Sequence, residues 1–348
     1  MIRREKIAVT KTSYASLNVT VRIHEEEFLD KSDYQALLSA KNLEDAIAQL
    51  QHSAYRIPDD ILSSRDFDGF LIDRLMQAMQ EVYQNIPDQK VVDLLGLRYS
   101  YHNAKVIFKE LFSDQDFHHM YLPAGPYQID SLRQAIKTGK SSVIDQRMLE
   151  TINTVRDYVE DTEQINDISV MLDDAYLSHI HYLALAIDDD QVTEWVALRI
   201  DLENLSLLLR AMQQKRSSSF IRSLLNEHGS IPLSSLLEWA ENKDYSSIFK
   251  AYEVKDYGEH FSQVLSETES ELSNQDRISL DGLDAAIEGV ISDHLREARL
   301  QAFGPLPVLA YLYFLNNEVT NLRLILVGKS NQIDENKLKE RMRPIYDE

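Results

Sequence analysis

The sequence predicts an all-α protein, and three observations carry that prediction. Ten glycines and eight prolines in 348 residues are too few turn formers for a sandwich or a barrel. No segment alternates apolar and polar residues at period two for long enough to make a sheet. Three stretches far apart in the chain repeat one amphipathic helix pattern in register. The length exceeds what a single core usually holds, so two or three subdomains are expected.

Taken in order, Asn42 followed by Leu43, Glu44 and Asp45 and then by Ile47 and Leu50 reads as an N-cap, an acidic first turn and an amphipathic helix. Phe67, Phe70, Leu71, Leu75, Met79, Val82 and Tyr83 keep a three-to-four spacing between Arg65 and Ile86, and Pro87 closes that helix. Another helix is expected from about Asp88 to Phe112. The stretch SDQDFHHMYLPAGPYQID, with two prolines and a glycine within four residues, is the clearest break. Ser131 to Thr138 then predicts a short helix. Val143 to Ile187 predicts one long helical stretch with a candidate interruption near Asp167, ended by Asp188, Asp189 and Asp190. The helical pattern resumes from Gln191 to Gln214, turns at KRSSSF, and continues in shorter pieces to about Tyr257. The last third predicts a helix from Leu280 to Phe303, a corner at Gly304-Pro305-Leu306-Pro307 and a helix from Val308 to Val327 stopped by Gly328. A charged helix around Glu335 to Met342 closes it.

The repeat is the most informative feature. LRYSYHNAKVIF from Leu97, LRIDLENLSLLL from Leu198 and LNNEVTNLRLIL from Leu315 align without gaps, each with an asparagine six residues after the leading leucine: Asn103, Asn204 and Asn321. Relative to it, the apolar positions are Leu97, Tyr101, Ala104 and Phe108 in the first copy. They are Leu198, Leu202, Leu205 and Leu209 in the second, and Leu315, Val319, Leu322 and Leu326 in the third. Steps of four, three and four place each set on one helix face. Each copy follows a helix breaker at nearly equal distance: Pro87, the Asp188–Asp190 run and Pro307. An asparagine inside a helix costs about 0.5 kcal/mol or more relative to alanine, so three in register call for a cause. An inter-helix hydrogen bond or a loop clamp is the expected cause, ahead of a direct ligand role. The division that follows is 1–122, 123–230 and 231–348, with approximate boundaries and with the opening helices as candidates to pack on the third segment.

Composition excludes several function classes. A net charge of -21, 36 Lys plus Arg against 57 Asp plus Glu, repels nucleic acid and anionic headgroups and attracts basic protein surfaces. The absence of cysteine removes disulfides, thiolate metal sites and a cysteine nucleophile. The start, MIRREKIAVT, lacks the apolar run of a signal peptide, so the cytosol is the expected compartment. The longest apolar stretch, Leu306 to Leu315, is roughly half a membrane span.

No chemistry is indicated. The scattered glycines form no phosphate cradle. His179 and His181, beside Asp173 and Asp174, point to different helix faces and read as ordinary helix histidines, while His118 and His119 read as a solvent-exposed pair. Asp66, Asp68 and Gly69 resemble a fragment of a calcium loop without the remaining ligands. The acidic runs Glu25 to Glu27 and Asp188 to Asp190 read as solvated caps or faces. No cofactor, metal or catalytic group is expected.

At FGPLPVLAYLYFLNNEVTNLRLILVGKSNQI, from Phe303 to Ile333, the chain resembles the C subunit of the V-type and A-type rotary ATPases, the counterpart of the eukaryotic d subunit. Pro307, Tyr311, Glu318, Asn321, Leu322, Arg323, Leu324, Ile325, Gly328 and Lys329 carry the pattern. Tyr14, Ala15 and Arg22, the GLRYSYHNAKVIFKELF segment at Gly96 and LDDAYLSHIHYLA at Leu172 extend it along the chain. The family often places an acid three residues before the repeat asparagine. Asp201 and Glu318 fit and Ser100 does not.

The resemblance implies three pseudo-threefold-related helical subdomains forming a funnel. It also implies a non-catalytic part that joins the central-shaft subunits to the membrane-embedded rotor ring, so that ATP turnover drives proton or sodium transport, or the reverse. Membrane contact through the ring alone, a place on the cytoplasmic side, and a monomer in isolation are the matching expectations. Strong acidity would help hold basic shaft or ring-loop residues and make assembly salt-sensitive. A helical scaffold binding proteins in a groove is the competing reading. Its solenoid units would be roughly 20 to 50 residues long, whereas the repeat asparagines are separated by about 100 and 120 residues.

Overall fold

The structure, a computed structural model, describes residues 9–113, 115–252, 261 and 282–347. Among them no strand occurs. Two compact units are present, one made of Met1–Val92 with Ser292–Glu348 and the other of Asp93–Ile291.

The first unit opens with a 3-10 turn, Lys11–Tyr14, and α1, Ala15–Glu25. Next come α2, Lys31–Ser39, and α3, Leu43–Leu50, whose N-caps Asp30 and Asn42 accept backbone N–H groups of the first turn. A single turn α4, Ile61–Ser64, precedes α5, Phe67–Asn85. The C-terminal part of this unit holds a 3-10 turn, Glu297–Leu300, and a helix Leu306–Ser330, numbered α15 below; a short α16, Glu335–Lys339, follows it. Every residue from Leu306 to Leu315 is buried, the mark of a helix that is apolar all round and lies at the centre of its core. It packs against α1, α3, α5, α16 and the 3-10 turn before it. The early helices α1, α3 and α5 are therefore folded onto α15.

The second unit contains most of α6, Lys90–Ser113, then α7, Ile129–Thr138, α8, Gln146–Thr162, α9, Asp167–Ile187, and α10, Asp190–Gln213. Shorter helices α11, Ser218–Leu224, α12, Leu233–Asn242, and α13, Tyr245–Tyr252, precede α14, Leu283–Arg296. α10 is the central helix, packing against α9, α11 and α12, and α9 packs in turn against α8. Trp195, Leu202, Leu205, Leu208 and Leu209 of α10 are fully buried. Asp189 caps α10 by accepting the Gln191 and Val192 N–H groups, while Asp188 ends α9 in the left-handed region. The acidic run is thus a stop and a start in adjacent residues.

Several sequence-based boundaries need correction. The interruption expected near Asp167 is present and begins slightly earlier, at Glu163, whose left-handed conformation (φ 57°) ends α8, and α8 starts at Gln146 rather than Val143. Gly328 does not stop its helix, which continues to Ser330. The helix expected to reach Phe303 ends at Arg296, tightens into the 3-10 turn and becomes extended at Gln301. The closing helix ends at Lys339. The pieces expected from Glu253 to Tyr257 and the expected helix start at Leu280 lie outside the described residues.

Candidate functional site

The three repeat asparagines are buried inside their helices, and each makes the same pair of bonds. Asn103 Nδ2 donates to the Leu122 carbonyl at 2.7 Å while the Leu122 N–H donates to Asn103 Oδ1 at 2.9 Å. Asn204 holds the carbonyl and N–H of Asn226, both at 2.9 Å. Asn321 holds those of Arg343 at 2.9 and 2.8 Å. An amide side chain offers one donor and one acceptor in a fork, which is what a backbone unit leaving a helical hairpin needs. Each clamp fixes a returning loop against a helix of 24 or 25 residues.

The position three residues earlier shows how the copies diverge. Asp201 Oδ1 accepts the N–H groups of Ser230 and Ile231 at 2.8 and 3.1 Å, and its other oxygen takes the Ser230 hydroxyl. Gly229 leaves room for this approach, since a Cβ there would stand 2.5 Å from Asp201 Oδ1. In the first copy Gly125 holds the matching place beside Ser100, and the residue after it is Pro126, which has no N–H to offer. A carboxylate at position 100 would be buried there without the two donors that Ser230 supplies, its N–H and its hydroxyl; the Ser100 hydroxyl, itself buried without a hydrogen-bond partner, leaves a smaller polar group uncompensated than a carboxylate would. The departure from the family pattern at Ser100 has this physical reason. In the third copy Glu318 reaches elsewhere: Oε2 accepts the Leu29 N–H at 2.7 Å and Oε1 accepts the Tyr55 hydroxyl at 2.9 Å. Burial pushes its carboxyl up to about 7, against the pull of those two bonds.

The other motif residues of α15 also hold the N-terminal segment. The Tyr311 ring lies 6.0 Å from that of His24 and 5.7 Å from that of Phe28. Arg323 pairs bidentately with Asp68 of α5, at 2.7 and 2.9 Å. The Lys329 ammonium donates to the Leu38 and Ala40 carbonyls at 2.5 and 2.6 Å, serving as a remote C-cap for α2. Gly328 faces α16, where a Cβ would come within 2.5 Å of the buried Leu338 side chain. Pro307 sits in the first turn of α15, where its missing N–H costs no bond.

The remaining residues singled out in the sequence have structural settings. Asp66 is the N-cap of α5 and accepts the Gly69 N–H. His179 is buried beside Tyr101, whose hydroxyl is 3.1 Å from Nδ1. Nε2 lies 3.6 Å from Asp145, which also accepts the Tyr127 hydroxyl at 2.7 Å. Burial holds this imidazole below the ordinary histidine range. His181 stacks on His228 at 4.2 Å. Lys105 forms an ion pair with Asp173, and Asp174 accepts the Asn226 side-chain amide. Among the described residues no group of three or more His, Cys, Asp or Glu is placed to hold a metal ion. Sequence reasoning missed the clamped partners Leu122, Asn226 and Arg343. A signal existed in part: Asn226 and Arg343 both follow their asparagine by 22 residues, and a proline follows Leu122 and Arg343 directly.

These locks define the class: an all-α protein whose motif residues bind its own loops and helix ends. The chain belongs to the ATP synthase (C/AC39) subunit family, whose model matches residues 17–341. It is 29% identical over 341 residues to the C subunit of the V-type sodium ATPase of Enterococcus hirae, covering 96% of this chain and 99% of that protein. It is 19% identical to the C subunit of the A-type ATP synthase of Methanocaldococcus jannaschii, over 96% of this chain and 87% of that one. The matching A-type ATP synthase protein of Pyrococcus abyssi is 22% identical, over 94% and 90%.

Proposed function

We propose that this chain is the non-catalytic coupling subunit of a rotary ATPase rotor, joining the central-shaft subunits to the membrane-embedded ring. The observation that carries the reading is family membership across almost the whole chain, including a match over 99% of the C subunit of a sodium ATPase. The geometry suits the task. A part that passes torque must resist shear, and buried, reciprocal side-chain-to-backbone clamps in packed helices do so better than solvated loops. No helix of the described residues is long and apolar enough to cross a membrane, which fits a peripheral subunit on the cytoplasmic side that meets the bilayer through the ring. On this reading residues 1–122, 123–230 and 231–348 are its repeat segments, the isolated chain is a monomer, and its acidity attracts basic residues of the shaft. The test is co-purification: ring and shaft subunits should come away together from cells that contain the chain and separately from cells that lack it. Ring and shaft that stay joined without it would refute the proposal.

A further inference from the structure

The surface of the first unit carries one apolar patch that its own fold holds in place and leaves uncovered. Leu300 is 92% exposed and Phe303 51%, at the outer side of the segment that links the 3-10 turn to α15. Val19 and Ile23 of α1 are 64% and 63% exposed. The two groups are neighbours because α1 grips that segment with the adjoining helix positions. Asn18 donates to the Ala302 and Gly304 carbonyls at 3.2 and 3.1 Å, and Arg22 donates to the Ala298 and Gln301 carbonyls at 2.8 and 3.3 Å. The Gly304 N–H completes the grip by donating to the Lys11 carbonyl at 2.9 Å. Val19 and Ile23 follow Asn18 and Arg22 in sequence and lie roughly 100° further around the helix, away from the buried stripe of Tyr14, Leu17 and Val21.

The charge pattern says what kind of surface fits. The protein carries a net -21, yet the exposed positions on the Val19 side, Ser16 of α1 and Thr12 of the turn before it, are uncharged. Exposed Lys11, Glu26, Glu27, Glu297 and Arg299 flank the apolar positions in the chain, a charged border of the kind that surrounds the apolar centre of protein interfaces. A face whose charges lie at its border can be brought against the low-dielectric end of a membrane-spanning protein with less stripping of water from ions than the rest of this acidic surface. Bare lipid is the poorer partner, because anionic headgroups repel the chain as a whole. We propose that Val19, Ile23, Leu300 and Phe303 form the face that seats on the apolar helix ends and connecting loops of the membrane-embedded ring; this rests on the coupling reading above. The same argument gives the two interfaces opposite salt responses: contact with the shaft weakens with salt, and contact with the ring does not.

The test measures binding of the full chain to the ring in lipid nanodiscs, to purified shaft subunits, and to ring-free nanodiscs of the same lipid. The variants are Leu300→Asp with Phe303→Asp and, as a milder pair, Leu300→Ala with Phe303→Ala, each checked for wild-type thermal unfolding. The expected result is ring affinity lower by at least about tenfold for the aspartate pair, a smaller loss for the alanine pair, unchanged shaft affinity, and ring binding insensitive to salt. Ring binding by both pairs at wild-type strength would overturn the assignment, as would loss of shaft binding in place of ring binding, or equal binding to ring-free discs. If the wild-type chain binds neither ring nor shaft, the coupling reading itself fails and this assignment fails with it.

Discussion

Asn204 and Asn226 are joined by two reciprocal hydrogen bonds, each 2.9 Å, in which the side chain of the first satisfies both backbone groups of the second. Both residues are buried. Replacing Asn204 by alanine strands a buried N–H and a buried carbonyl. The expected loss is about 3 kcal/mol of unfolding free energy, read by urea titration. Asn226→Ala should cost less, because the backbone groups that receive the clamp remain and the bonds lost are those of its side chain to Asp174, Ser178 and the His228 N–H.

Ser100 and Pro126 make a paired prediction. Ser100→Asp alone buries a carboxylate where the second copy has Ser230 to donate and this one has proline, and should destabilise the chain by about 3 kcal/mol. Adding Pro126→Ser restores the missing donors. The double variant should recover about 1 to 2 kcal/mol beyond additivity, and a coupling of zero in that cycle would contradict the correspondence between the two loops.

Glu318 should make the first unit more stable as pH falls. Its carboxyl titrates at about 7 in the fold and near 4.3 in an unfolded chain. The unfolded state therefore releases its proton first as pH rises. Stability is greatest below the unfolded value and is lost as pH climbs from there to about 7. Glu318→Gln mimics the neutral acid, and should remove that dependence and raise stability at pH 8. Hydrogen exchange at the Leu29 amide, which bonds the carboxylate, is the local readout.

His179 acts in the opposite sense in the second unit. Burial lowers its folded pKa beneath the ordinary histidine value, so the unfolded chain takes the proton first as pH falls. Its contribution is intact above that ordinary value and is lost on acidification. Protection of amides in α9 and α10, corrected for the intrinsic pH dependence of exchange, should therefore fall between pH 7 and pH 5 while that of the Leu29 amide rises, and His179→Gln should flatten the response of α9.

Lys329→Met keeps the stem of the side chain and removes the ammonium that bonds the Leu38 and Ala40 carbonyls. The expected cost is about 1 to 2 kcal/mol, concentrated in fraying of α2, which chemical-shift changes at Leu37, Leu38 and Ser39 would report.

The helices and the repeated asparagines were legible in the sequence because helical spacing and a buried polar position are local or periodic signals. Asn103, Asn204 and Asn321 stand in matching clamps for that reason. What bound them was legible only in part: two of the partners share a 22-residue spacing and two precede a proline, but no feature is common to all three. Gly328 shows the limit most plainly. A glycine near a helix end reads as a stop, but its cause is the approach of Leu338 from α16, a tertiary contact. Glu318 and Lys329 likewise serve residues more than 250 positions away in the chain. The interruption near Asp167 is legible, but its cause, a left-handed turn at Glu163 rather than at a glycine, is not.

ATP-driven ion uptake into vesicles, with ATP hydrolysis followed in the same sample, tests the coupling role most directly. Membranes assembled without this chain should hydrolyse ATP and move no ions, and adding the purified chain back should restore uptake. Ion uptake at the normal ratio to hydrolysis in its absence would contradict the proposed role.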